Sequence, residues 1–278
     1  MVGSVNLDLV IRVEKLPVAG ETVTDGAFSR HPGGKGANQA LAARRLGATV
    51  NLIAAVGGDE SARAALGLLQ AAGVDLSRCH IHETLPTGIA MILVDSRGEN
   101  QIAVAPGANR GLSPELLRLD HDEAVVCQLE IPIETVQAAS RATSGFFGFN
   151  AAPARPVPEE ILQRADLVVV NEVEHAAIGA GLNSVGGLVA VTRGGDGASL
   201  YRGGEMVATA VAPKVEVVDT VGAGDCFVAA LTVSLIEGLP ADVALKRAVF
   251  AGALATTMNG AQEAMPSRRD VDALTGVT

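Results

Sequence analysis

Short, continuously apolar runs alternate with Ala- and Leu-rich stretches along most of the chain. VNLIAAVG is followed by SARAALGLLQAAG, AVVCQLE by IETVQAASRA, and GFFGFN by PEEILQRA, after which come DLVVVNEVE and LVAVTRGG. Runs of the first kind fit strands buried on both faces, whereas the second kind carries its apolar residues at helical spacing. Strand and helix in alternation predict an α/β fold with a largely parallel central sheet covered by helices on both faces. Two regions break the rhythm, LVIRVEKLPVAGETVTDGAFSRHPGG and TGIAMILVDSRGENQIAVAPGAN, where strands follow one another through turns without a helix between them. These lid strands, about 9–32 and 87–106, are expected to form a small antiparallel sheet beside the core, within a single unit spanning 1–278. No internal repeat or low-complexity segment interrupts the pattern.

Composition narrows the partners. With 278 residues, 48% of them hydrophobic, the chain has enough apolar surface for a large core. A net charge of −10 argues against nucleic acid or an anionic membrane as partner, since both need a positive footprint. Cys79, Cys127 and Cys226 are odd in number and lack CxxC spacing, which points to a reducing compartment, read as the cytoplasm. No basic segment precedes an apolar one at the N-terminus, and no apolar run nears the ~18 residues of a spanning helix, so neither export nor insertion is expected. His80 and His82 share a face if their segment is a strand, but no Cys or carboxylate stands at ligand spacing beside them.

Candidate chemistry gathers at glycine-rich turns. HPGGKGANQ has Lys35 but neither the glycine spacing nor the Ser/Thr of a P-loop, and GAGDCF lacks the third glycine of a dinucleotide fingerprint. In DTVGAGDCF, VEVV before it reads as a strand end and FVAALTVSLIEG after it as a helix. The amides of Ala223, Gly224 and Asp225 can therefore converge on an anion at a helix N-terminus. A carboxylate there repels a resting phosphate, yet it is well placed to take a proton from an incoming hydroxyl. Read singly, Asp225 also fits an N-cap, Asp8 and Asp219 turn residues, and Glu174 an ordinary first-turn acid.

Ten stretches carry more information together than apart: GSVNLD (3–8), PVAGET (17–22), GGKGANQA (33–40), GENQIAVAPGAN (98–109), QLE (128–130), NAAPAR (150–155), NEVE (171–174), TRGGDG (192–197), DTVGAGD (219–225) and GAQEAMP (260–266). In this order, over nearly the whole chain, they resemble the ribokinase-like sugar kinases, the phosphofructokinase B family. The resemblance implies ATP-dependent phosphorylation of D-ribose at its 5-hydroxyl, with another pentose, deoxyribose or a nucleoside as alternative acceptors, or a sugar-binding regulator without catalysis. It makes Asp225 the general base and the amides of Gly222, Ala223 and Gly224 the anion hole. Asp8, Gly34, Lys35, Asn38 and Glu130 match sugar contacts; Asn171, Thr192, Gly194 and Gly197 match nucleotide contacts, and Glu174 matches the acid near Mg2+. Asp219, with the carbonyls of Val221, Ala255, Met258, Gly260 and Ala264, matches the site of a monovalent cation, K+. The resemblance also implies a homodimer formed through the lid strands.

Three departures stand out. The 175–191 segment, HAAIGAGLNSVGGLVAV, is shorter than in these kinases, so a helix near the nucleotide is expected to be missing or reduced. The chain begins almost inside its first strand, so a few upstream residues of that strand are expected to be absent. Glu263 stands where these kinases carry Pro.

Overall fold

The computed structural model of the protein describes residues 1–121 and 123–276. In chain order its elements are β1 (Asn6–Arg12), β2 (Ala27–Gly33), α1 (Lys35–Arg45), β3 (Ala54–Gly57), α2 (Glu60–Ala72), β4 (Cys79–His82), β5 (Gly88–Val94), β6 (Asn100–Ala105), β7 (Val125–Cys127), α3 (Ile133–Ala142), β8 (Phe147–Asn150), α4 (Glu159–Arg164), β9 (Leu167–Asn171), α5 (Glu172–Ile178), β10 (Leu188–Thr192), β11 (Ala198–Arg202), β12 (Glu205–Ala210), α6 (Ala223–Ile236), α7 (Ala241–Ala255) and α8 (Arg268–Thr275).

Strands β7 to β10 pair in parallel, and β11 and β12 extend that sheet antiparallel. Val2 bridges in parallel both to Cys127 on β7 and to Ile53 ahead of β3, and β3 pairs in parallel with β4. Successive residues of β9 serve opposite faces. Leu167 and Val169 pack with residues of α1, α6 and α7, while Val168 and Val170 pack with Val136 of α3 and Ile161 of α4. Burial on both faces is why these strands read as unbroken apolar runs, and the predicted fold class is what the chain adopts.

The second sheet has the order β2-β1-β5-β6. Its two expected antiparallel pairs, β1–β2 and β5–β6, are present and are joined through a parallel pairing of β1 with β5 that starts at Asn6 and Gly88. One face buries Val10, Ala90 and Ile92; Met91, Ile102 and Val104 stay exposed.

VEVV, 215–218, is no strand. The chain leaves the sheet edge at Ala210, and no described strand runs beside 215–218, so the amides of Val218 and Asp219 donate instead to the carbonyl of Thr256 beyond α7. The short 175–191 segment holds the end of α5 and a 3-10 turn, Gly179–Ser184, that leads into β10. Among the described residues, no helix is long and apolar enough to cross a membrane.

Candidate active site

Three parallel strands end in polar residues, Asn150 on β8, Asn171 on β9 and Thr192 on β10. These line one cleft with Lys35, Glu174 and Asp225, where strand carboxyl ends leave a crevice beyond the sheet. Helix α6 starts there because Gly222 takes φ 80°, and a Cβ on it would lie 2.9 Å from Ala261. Gly222 is the N-cap, so Asp225 falls at the third helical position and its side chain caps nothing. The Asp225 carboxylate turns onto α1 instead, where Asn38 Nδ2 donates to Oδ2 and Gln39 Nε2 to Oδ1, each at 2.9 Å. Burial pushes the Asp225 pKa up, opposed by Lys35 and by the two amide donors. The same attraction, with Asp225 foremost, holds the Lys35 ammonium charged. An unpaired carboxylate this deep costs several kcal/mol, so the donors are a condition of its ionisation.

In the turn before α6, the Ala223 amide donates back to the Thr220 carbonyl at 3.3 Å. No described hydrogen bond uses the amides of Gly222 and Gly224, and both residues line the cleft. With the helix dipole behind them, free amides in this position favour negative charge.

Helix α1 approaches the segment at Gly3 and Ser4 backbone to backbone; a Cβ on Gly36 would lie 2.5 Å from it. Gly34 caps that helix. Glu130 Oε2 accepts from the Lys35 amide at 3.0 Å and from Ser4 Oγ at 2.5 Å, which fixes it at the start of α1. Asp8, on β1, is buried, and its pKa is pushed up to about 7, by burial first and then by Glu130. It lines a second cavity of about 320 Å³ with His31, Asp219 and Gly260. Lys35, grouped with the sugar contacts by the resemblance, lines the cleft of Asn171, Glu174 and Thr192.

Asn171 and Glu174 form a reciprocal capping box at α5: the Glu174 amide donates to Asn171 Oδ1, and the Asn171 amide to Glu174 Oε2, each at 2.8 Å. Burial raises the Glu174 pKa, and Lys35 opposes it. Gly194 and Gly197 flank the turn after β10. They line a third cavity of about 650 Å³ whose walls include Ala212, Val215, Phe227 and Ala253. Nothing in the sequence marked those apolar residues as functional. All three cavities share Thr220.

Asp219 Oδ1 accepts the Val221 amide at 3.0 Å and Oδ2 the Gly260 amide at 3.1 Å, tying the turn before α6 to the loop after α7. No described hydrogen bond occupies the carbonyls of Val221, Met258, Gly260 or Ala264, or that of Ala255 at the end of α7. Glu263 Oε1 pairs with His31 Nδ1 at 3.1 Å, and its other oxygen is buried without a described partner. Gln39, which donates to Asp225, and Asn150, which accepts from Gln39, lay inside quoted motifs with no role assigned.

The buried Asp225 carboxylate thus lies in the first turn of α6, in a cleft that adjoins both other cavities at Thr220. The model of the pfkB family carbohydrate kinases matches residues 1–268, and the chain belongs to that family. It is 37% identical over 288 residues to the ribokinase of Bacillus subtilis, covering 99% of this chain and 98% of that one. Among solved structures, the ribokinase of Thermotoga maritima superimposes with a TM-score of 0.88 at 33% identity, over 99% of this chain and 98% of that one. The ribokinase of Arabidopsis thaliana, solved with ribose and ATP, gives 0.84 at 29% identity, over 100% of this chain and 98% of that one.

Proposed function

We propose that the chain transfers the terminal phosphoryl group of ATP to the 5-hydroxyl of D-ribose, giving D-ribose 5-phosphate. The observation that carries this reading is Asp225, a buried carboxylate with both oxygens held by amide donors, in a cleft that adjoins the Asp8 cavity and the apolar cavity at Thr220. Ribose lies on the side of Asp8, Asn38 and Glu130, whose acceptors match a polyol. ATP lies on the side of Asn171, Thr192, Gly194 and Gly197, with its base in the apolar cavity. Asp225 takes the proton from the attacking hydroxyl, and the Gly222 and Gly224 amides with the Lys35 ammonium offset the charge on the moving phosphoryl group. Catalysis is then positioning and electrostatics, as phosphoryl transfer requires.

The Glu174 carboxylate fits a magnesium ion, because its Oε1 has no partner among the described hydrogen bonds and the residue lines the phosphate cleft. Mg2+ bound with ATP neutralises phosphate charge. The carbonyls around Asp219 fit K+: large ions suit many neutral oxygens and one carboxylate, and the orphaned Glu263 oxygen adds charge beside them. The lid sheet, which exposes Met91 on one face and Ile102 and Val104 on the other, is the surface we assign to a homodimer, and the three free cysteines suit a cytoplasmic setting. A nucleoside acceptor lacks an aromatic platform, since Phe28 is exposed beneath the Arg30 guanidinium.

An ADP-release screen over ribose, deoxyribose, other pentoses and nucleosides tests the reading. Ribose should give the highest kcat/KM, and exchange of sodium for potassium at fixed ionic strength should raise turnover. A panel won by adenosine overturns the substrate; no ADP release with any acceptor would favour a binding regulator.

A further inference from the structure

Gln39 lies beside Asp225 and is fully buried. Its Nε2 carries two hydrogens, and both have acceptors: Asp225 Oδ1 at 2.9 Å and Asn150 Oδ1 at 3.0 Å. Its Oε1 accepts from Gln128 Nε2 at 2.7 Å. Asn150 in turn donates through Nδ2 to the Val169 carbonyl on β9 at 3.2 Å. The sense of this chain is fixed at each link. The Val169 carbonyl only accepts, so Asn150 presents its oxygen to Gln39, and Gln39 presents its amino group to the carboxylate. Turning the Gln39 amide over would set its oxygen against the oxygens of Asp225 and Asn150 and its amino group against that of Gln128.

We infer that Gln39 is a positioning residue for phosphoryl transfer: it anchors one oxygen of the Asp225 carboxylate to the central sheet, so that the lone pair facing the acceptor hydroxyl is held in one orientation. Asn38 holds the other oxygen and has a second tie, accepting at Oδ1 from Gln262 Nε2 at 3.1 Å. The two anchors differ in reach. Asn38 joins Asp225 to the loop beyond α7, whereas Gln39 joins it, through Asn150 and Gln128, to β8, β9 and the end of β7. A carboxylate has about four acceptor positions, and two donors leave one position on each oxygen for the incoming proton. The cluster also sets the charge state. Lys35 faces Asp225 as the favourable charge, while Glu130, Glu174 and Asp8 surround it with like charge. In that company a neutral donor favours the ionised base without adding another titrating group.

The inference rests on Asp225 as the base, so the experiment separates the two. Turnover and both KM values are measured for Gln39→Met, Gln128→Met, Asp225→Asn and the Gln39→Met/Asp225→Asn pair. Gln39→Met preserves volume and removes the donor; Gln128→Met removes the partner behind Gln39, together with its contact to Met1 Sδ. The expected result is a kcat loss of about 10- to 100-fold for Gln39→Met, with both KM values within about threefold of the parent. Gln128→Met should lose less than about threefold, and the pair should be no slower than Asp225→Asn alone. The acid limb of kcat/KM should move to higher pH in Gln39→Met, because the ionised base has lost a donor. Equal losses in Gln39→Met and Gln128→Met would reduce Gln39 to a packing residue and overturn the inference while leaving Asp225 in place. Near-normal turnover of Asp225→Asn would remove the base and the inference together. If Gln39→Met does not fold, Gln39→Glu decides: the introduced carboxyl must still displace the acid limb upward, and an unmoved limb counts against positioning.

Discussion

The two cavities that adjoin the Asp225 cleft through Thr220 are built differently. The Asp8 side is the more polar, setting Asp8, Asp219, Arg12, Arg97 and His31 among valines and isoleucines, and Asp8 has its pKa pushed up to about 7 by burial and by Glu130. The side of α7 and 212–217 is apolar and roomy, about 650 Å³ with Phe227, Val249 and Ala253 in its wall. A polyol offers many hydroxyls, so recognition there needs paired acceptors, and a missing one leaves a buried group unsatisfied. A flat base is held by shape, and shape discriminates weakly per methylene. Asp225 lies in the cleft that joins the two at Thr220, and changes on the two sides should therefore separate in KM.

The largest effect is expected at the junction. Asp225→Asn should lower kcat by roughly 10²–10⁴-fold while ATP binding, followed by calorimetry, stays near the parent value. On the polar side, Asp8→Ala should raise the KM for ribose by an amount worth about 1.5–3 kcal/mol and leave that for ATP nearly unchanged. Asn38→Ala should behave differently, losing kcat as well, because Asn38 also holds Asp225. Equal effects of either substitution on both substrates would erase the contrast between the sides. On the apolar side, Ala253→Leu should raise the KM for ATP by about 1–2 kcal/mol and spare that for ribose.

The smallest effect tests the electrostatic cost of the polar side. The folded chain binds the Asp8 proton more tightly than the unfolded chain does, since its pKa is raised from 3.8 to about 7. Asp8 therefore weakens the fold increasingly as pH rises from 3.8 to about 7, and above that the penalty is constant. Asp8→Asn should accordingly raise Tm at pH 8 relative to the parent and give little gain at pH 4, read by thermal melts of ligand-free protein. A variant that gains equally at both pH values would place the effect in packing rather than charge.

Periodicity and motif order fixed a great deal. Continuous apolar runs joined by helical spacing were enough for a parallel sheet covered on both faces, because a strand buried twice must be apolar at every position. Gly222 and Asp225 were legible because a helix N-terminus that receives an anion needs small residues, and a carboxylate there is conspicuous. Only the tertiary structure decided where side chains from distant segments meet. Lys35 and Asn38 belong to one motif and one helix, yet Lys35 lines the cleft of Asn171, Glu174 and Asp225 while Asn38 ties Asp225 to Gln262 beyond α7. VEVV had the composition of a strand but no neighbour to pair with, and backbone pairing is a property of two segments. Gln39 is a polar residue inside a helix until α6 brings Asp225 to it across 186 positions. A hydrogen bond that long in sequence leaves no local periodicity, and the apolar wall formed by Phe227 and Ala253 leaves none either, because there a cavity lining and a core residue are chemically the same.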